Sequence, residues 1–215
     1  MNYFAHAYRF LADPYFVAGT ATPDWLSVVN RRSRARERLA VRFIDDDDPL
    51  VRAVARGIVR HHRDDDWFHR TRAFAELSLE FTLAIRDSLP ADDGFRPSFL
   101  GHILVELLLD AELIAEHPER LDAYYRVLDA LDVDSVSRAV NQMVTEPAGM
   151  LPLFIPRFSA ERFLYDYADD GKLLFRLNGV MRRVKLPPLP ESFRELFPAM
   201  RRQVADRKLE LLREP

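Results

Sequence analysis

One segment decides the fold class: residues 98–116 read SFLGHILVELLLDAELIAE. Up to Asp110 nearly every position is apolar, and the exceptions His102, Glu106 and Asp110 follow one another at intervals of four. That spacing predicts a helix with one narrow ionisable stripe, which is costly to bury unless its groups are paired or metal-bound. We expect protein on both flanks of the stripe, as in a cleft. The alternative interpretation is the solvent face of an amphipathic helix.

The same helical period extends over the rest of the 215 residues. Apolar residues recur at intervals of three and four, strict alternation is rare, and glycine occurs only seven times. This pattern predicts an all-α, single-domain helical bundle. We divide it into a metal-site half, 1–116, and a helical half of unknown role, 117–215.

Proline and capping residues predict where helices begin and end. Thr22 and Pro23 indicate a helix start, with the helix running through a basic segment to about Phe43. Further helices are expected from Pro49 to about Arg63 and onward to Ser88, with a bend near Asp64. The expected connectors are the proline-containing stretches 90–97, 147–156 and 187–190.

Composition excludes several classes of function. Cysteine is absent, so a metal would be held by His, Asp, Glu or backbone oxygen. The net charge of −3 predicts no affinity for nucleic acid, and no apolar run is long enough for a membrane span. The first residues lack the features of a secretory signal, so a cytoplasmic protein is expected.

A second polar stripe lies upstream, where His61, Asp65 and His69 stand four residues apart. On one helix, side chains from successive turns can converge on a single ion. Imidazole and carboxylate together suit Zn, Fe or Mn, and carboxylate suits harder ions such as Mg. The alternative is a solvated helix face, since residues 61–66 read HHRDDD.

These fragments together resemble a known family. The opening MNYFAH (residues 1–6), Asp24, and the stretch GIVRHHRDD (residues 57–65) are similar in order and spacing to acyl-carrier-protein phosphodiesterases, which typically begin MNFLAH. Residues 19–24, GTATPD, resemble a segment of zinc-dependent phospholipase C-like proteins in which the Asp helps to bind metal. Both groups are helical metallo-phosphoesterases, and the first is related to the HD-domain phosphohydrolases. The chain departs from the pattern by carrying His69 in place of an acid and by lacking an adjacent His-Asp dyad.

The resemblance implies a metal site and a bundle of HD-domain-like or phospholipase C-like type. The implied cofactor is a divalent ion of Mn, Zn, Fe or Mg, and His69 is expected as a further ligand. Glu106 or Asp110 is expected to orient an imidazole or act as general base, and Arg60 or Arg63 to face the phosphate charge. The ligands that the resemblance implies are His6, Asp24, His61, Asp65 and His102.

The expected function is metal-dependent hydrolysis of a phosphoester, with a phosphopantetheinyl group as one candidate substrate. Acyl carrier protein is acidic, and five arginines between Arg31 and Arg38 are suited to attract it, although a solvated helix face is the favoured interpretation of that cluster. Two alternatives stay open: a small-molecule lipid or nucleotide phosphohydrolase, and a non-catalytic scaffold or homo-oligomer without metal.

Overall fold

A computed structural model describes residues 1–90 and 94–214, and within these ranges the chain is helical and contains no strand. The all-α prediction is confirmed. In the same ranges, no helix is both long enough and apolar enough to cross a bilayer. The α-helices are α1 (Tyr3–Ala7), α2 (Pro14–Val29), α3 (Glu37–Ala40), α4 (Pro49–His69), α5 (Arg72–Ser88), α6 (Pro97–Glu116), α7 (Pro118–Asp129), α8 (Val133–Asn141), α9 (Leu151–Glu161), α10 (Asp170–Arg183) and α11 (Phe197–Leu211). Short 3₁₀ segments cover Val41–Phe43, Phe163–Ala168 and Glu191–Leu196.

The helices group into two compact units. Of the described residues, the first contains Met1, residues 3–66 and residues 117–162, and the second contains Asn2 and residues 67–90, 94–116 and 163–214. The predicted division into halves at residue 116 stays a prediction.

An aromatic core and a close helix contact hold the first unit together. Phe158 packs against Tyr3 and Trp25, with ring centroids 4.8 Å and 5.6 Å away. Helices α2 and α4 meet at Gly19 and Gly57, neither of which has a side chain. A Cβ on Gly57 would clash with the carbonyl oxygen of Phe16 and lie 2.8 Å from Gly19 Cα. Only glycine allows two backbones to approach this closely.

Helix α2 begins nine residues earlier than predicted, at Pro14 instead of Pro23, so Thr22 is not its N-cap. The cap is Asp13, whose carboxylate accepts from the Phe16 amide at 3.1 Å, and Pro14 occupies the first turn. Pro23 lies inside the helix, and the Thr22 hydroxyl donates to the carbonyl of Ala18 at 2.8 Å. Side-chain bonds of this kind accompany the local bending that lets a helix accommodate proline.

Residues 30–36, which follow α2 and contain four of the five arginines, are not helical, which corrects the prediction of a continuous helix to Phe43. The Asn30 side chain accepts from the Arg32 amide at 3.1 Å, an Asx turn that ends the helix. The residues that follow form hydrogen bonds with a loop that is distant in sequence. The Arg34 amide donates to Thr145 Oγ1 at 3.0 Å, and the Ser33 hydroxyl donates to the Glu146 carbonyl. All five arginines between Arg31 and Arg38 are exposed.

The stretch 147–156 was also predicted wrongly as a connector, because α9 occupies Leu151–Glu161. Pro152 lies in its first turn, where an amide hydrogen is not needed. Burial of Leu151, Ile155 and Phe158 on one face outweighs the unfavourable Pro156 inside the helix.

The second unit is built around α5 and α6, which pack at a small residue. A Cβ on Gly101 would lie 2.6 Å from the Thr82 hydroxyl oxygen and 2.7 Å from the Ser78 carbonyl oxygen. Thr71 caps α5, accepting from the Phe74 amide at 3.2 Å. The break between α4 and α5 therefore lies at residues 70–71. The predicted position, near Asp64, was wrong.

Candidate metal centre

Three ionisable side chains converge in the first unit: His6 from α1, and His61 and Asp65 from α4. One ligand atom from each lies within 4.8 Å of the other two. His6 and His61 are buried, their rings are stacked 4.2 Å apart, and Asp65 is partly buried. His61 and Asp65 of the predicted stripe thus meet the opening segment at one place, which we call the His6 cluster. His69, the third member of the stripe, is not part of it.

The hydrogen bond made by His61 determines which of its nitrogens can bind an ion. Its Nδ1 lies 2.8 Å from the carbonyl oxygen of Thr20 on α2. A carbonyl only accepts, so Nδ1 carries the hydrogen and donates it. In the neutral ring Nε2 then has a lone pair, and it lies 3.3 Å from Asp65 Oδ2.

His6 is arranged in the same way, with a carboxylate in place of the carbonyl. Its Nδ1 lies 3.2 Å from Oδ2 of the buried Asp64, which also pairs with Arg60 Nε at 2.6 Å. Its Nε2 is buried and lies 3.3 Å from Asp65 Oδ1, without the angles of a hydrogen bond. The neutral form of His6 therefore also directs a lone pair toward Asp65.

Asp65 is held as the anion. Burial alone raises the pKa of its carboxyl group, but His6, His61 and the Met1 amino group outweigh this and hold that pKa well below its usual range. The Met1 nitrogen lies 2.6 Å from Asp65 Oδ1.

The arrangement fits a divalent cation. Metal-bound histidines almost always donate their other ring N–H to a carboxylate or a backbone carbonyl, and His6 and His61 do one each. Ligand atoms around an ion with bonds of about 2.1 Å are roughly 3.3 Å apart, which matches the N–O spacings here. Two imidazoles and a carboxylate are ligands for Zn, Fe or Mn rather than for Ca.

In the metal-free protein a proton on His6 balances the negative charge of Asp65. Burial lowers the pKa of His6, but Asp64 and Asp65 outweigh it and raise that pKa from 6.5 to about 9. Folding then favours the protonated form, so this stabilisation is complete below pH 6.5 and is lost as the pH rises through about 9.

We therefore expect the unfolding free energy of the metal-free protein to fall by about 3 kcal/mol between pH 6 and pH 9.5. Urea unfolding in a chelator at several pH values measures it. The His6→Gln variant should lose most of this dependence, and His117→Ala, which alters a half-exposed histidine, should keep it. Equal pH dependence in His6→Gln and the native protein would contradict the assignment.

Two predicted site residues of the first unit are not members of the His6 cluster. Asp24 is half-buried on α2, and its backbone carbonyl accepts from the Ser27 hydroxyl at 2.7 Å. Arg63 is 65 % exposed and pairs with Glu37 at 3.1 Å. It stands two residues after His61, roughly 200° around α4. Their predicted roles, as metal ligand and as cation for the phosphate, stay predictions.

The remaining predicted residues lie in the second unit. His69 ends α4, and its Nε2 lies 2.9 Å from Glu106 Oε1, while His102 Nε2 lies 3.1 Å from the same oxygen. Asp110 is completely buried and accepts from the Asn2 side chain at 2.8 Å. The stripe on α6 thus runs from the half-exposed His102 to the buried Asp110.

Asp64 and Thr20 contribute to the His6 cluster but were not predicted to. Asp64 has only a weak signal in the sequence, its i,i+4 spacing from Arg60. Thr20 acts through its carbonyl oxygen, which no residue type specifies.

Comparison with known proteins adds no assignment to this geometry. No family model, no curated protein and no solved structure matches the chain.

Proposed function

We propose that the protein is a metal-dependent phosphoester hydrolase whose ion is held by His6, His61 and Asp65. The observation that carries this proposal is the convergence of two histidine Nε2 atoms on one ionised carboxylate, each in a ring whose Nδ1 faces an oxygen acceptor. The order of these residues along the chain, similar to that in helical metallo-phosphoesterases, supports a phosphoester as substrate.

The residues divide into those that bind the ion and those that orient its ligands. His6, His61 and Asp65 bind, while Asp64 and the Thr20 carbonyl fix the ring orientation and the protonated nitrogen of each histidine. Arg60 compensates the charge of Asp64. A divalent ion held there would polarise a phosphoryl oxygen and lower the pKa of a water.

Acyl carrier protein is the macromolecular substrate that this proposal favours. The five exposed arginines between Arg31 and Arg38 form a positive surface in a chain whose net charge is −3. Complementary charge raises the association rate with an acidic partner, and added salt lowers it. An acyl-carrier-protein phosphodiesterase should therefore lose kcat/KM in high salt, whereas hydrolysis of a small phosphodiester should change little.

Metal analysis combined with a substrate panel tests the proposal. The purified protein is freed of metal, loaded separately with Mn, Zn, Fe or Mg, and given holo-acyl carrier protein, bis-p-nitrophenyl phosphate, a phospholipid and nucleotides. We expect hydrolysis of at least one phosphodiester that a chelator abolishes and metal restores. Bound metal without hydrolysis of any phosphoester would refute the hydrolase, and absence of tightly bound metal would favour a scaffold protein.

The ligand set also favours a second function. Two histidines and one carboxylate with open positions are the set used by non-haem iron(II) oxygenases. Oxygen consumption by the iron-loaded protein, coupled to loss of a 2-oxo acid or another reductant, would favour this function over hydrolysis. Activity with Zn alone would exclude it, because zinc has no redox chemistry.

A further inference from the structure

A second group of metal-ligating side chains lies within the second unit. His69 is the last residue of α4, and His102 and Glu106 stand one turn apart on α6. One ligand atom of each lies within 4.8 Å of the other two. The three residues, which we call the Glu106 cluster, are partly exposed: 33 % for His69, 44 % for His102 and 17 % for Glu106.

Packing within the second unit brings these side chains together. Phe74, in the first turn of α5, contacts both imidazoles, with ring centroids 4.7 Å from His69 and 4.9 Å from His102. His102 follows Gly101, the residue at which α5 and α6 approach closely. The Phe74 ring and the close packing of α5 against α6 therefore restrict the orientations of both imidazoles before any ligand binds.

The atoms directed at one another are those that bind metals. The Nε2 atoms of both histidines face the same oxygen of Glu106, at 2.9 Å and 3.1 Å. Around a tetrahedral zinc ion, ligand atoms are roughly 3.3 Å apart, so an ion could enter with shifts of a few tenths of an ångström.

The sequence-based prediction assigned His69 and His102 to the same metal site as His6. We propose instead that His69, His102 and Glu106 bind an ion of their own, a first-row divalent transition metal such as Zn²⁺. Two nitrogen donors disfavour Mg²⁺ and Ca²⁺. The exposure of His69 and His102 leaves coordination positions open to water or to an anionic ligand. This site does not depend on the hydrolase proposal.

Counting bound zinc in matched variants tests the second site. The metal-free chain is dialysed against Zn²⁺, and zinc per chain is measured by mass spectrometry for the native protein, His61→Ala, His102→Ala and the double variant. We expect two, one, one and no ions respectively. His117→Ala, which alters a half-exposed histidine outside both clusters, should bind as many ions as the native protein.

Two results would overturn the second site. One is an unchanged zinc count in His102→Ala, and the other is loss of all zinc in His61→Ala, which indicates one shared ion. Because the readout is zinc bound and not turnover, failure of the hydrolase proposal leaves the result interpretable. Glu106→Gln, which preserves side-chain size, should repeat the loss of one ion if His102→Ala does not fold.

Discussion

Replacing His61 with alanine should remove both the ion of the His6 cluster and the hydrolysis that we propose for it. The variant loses one of the three proposed ligands, together with the ring whose orientation the Thr20 carbonyl fixes. Loss of only an orienting partner typically costs 10- to 100-fold in metal affinity or activity, so loss of a ligand should cost more than about 100-fold in kcat/KM. Metal content and turnover of bis-p-nitrophenyl phosphate measure the effect.

Asp64→Asn provides the graded comparison. It removes the charge that accepts from His6 Nδ1 but leaves all three ligands in place. We expect a loss of about 10- to 100-fold in metal affinity, intermediate between His61→Ala and the native protein. His117→Ala should match the native protein. Full metal content and turnover in folded His61→Ala would show that the His6 cluster is not the catalytic centre.

The largest effect on stability should come from Gly57→Ala. The added methyl group would meet the Phe16 carbonyl oxygen, Gly19 Cα and the Thr20 amide, all of them backbone atoms that cannot move aside as a side chain can. We expect the unfolding free energy to fall by about 3 kcal/mol. Because the clash lies between α2 and α4, metal affinity of the His6 cluster should fall too.

Gly179→Ala is the matched control, since Gly179 is also helical but a Cβ there would have no atom within 4 Å. Alanine restricts the unfolded chain more than glycine, so this variant should be more stable by about 0.5–1 kcal/mol. Urea unfolding of both variants gives the comparison. Effects of the same sign in the two variants would contradict a role for glycine in the contact between α2 and α4.

Periodicity along the chain was sufficient to predict the fold class. A helix that buries one face has apolar residues at intervals of three and four, and this spacing is visible in the sequence. It was not sufficient for the ends of helices. The helix expected to continue through Arg31 ends at Val29, because the Asn30 side chain and the loop at Thr145 supply competing hydrogen bonds. Part of the predicted connector 90–97 falls at 91–93, outside the described residues.

The candidate site was predictable to the extent that its groups are side chains close in sequence. His61 and Asp65 follow from one helical turn, and His6 was inferred only from the order of motifs. The pairing of His69 with Glu106 joins residues 37 apart in sequence, and no local pattern records such a contact. The role of Asp64 was hidden among the neighbouring acids in residues 64–66.

The hydrogen bond between His61 and the main chain of Thr20 has a consequence for how this centre should be mapped. Thr20→Ala keeps the carbonyl oxygen, so an alanine scan along α2 would report a dispensable position. The acceptor can be removed only by displacing the backbone or by replacing the amide linkage with an ester, which weakens its carbonyl as an acceptor. Side-chain mutagenesis would therefore underestimate the contribution of α2, and backbone substitution by semisynthesis at Thr20–Ala21 would reveal it.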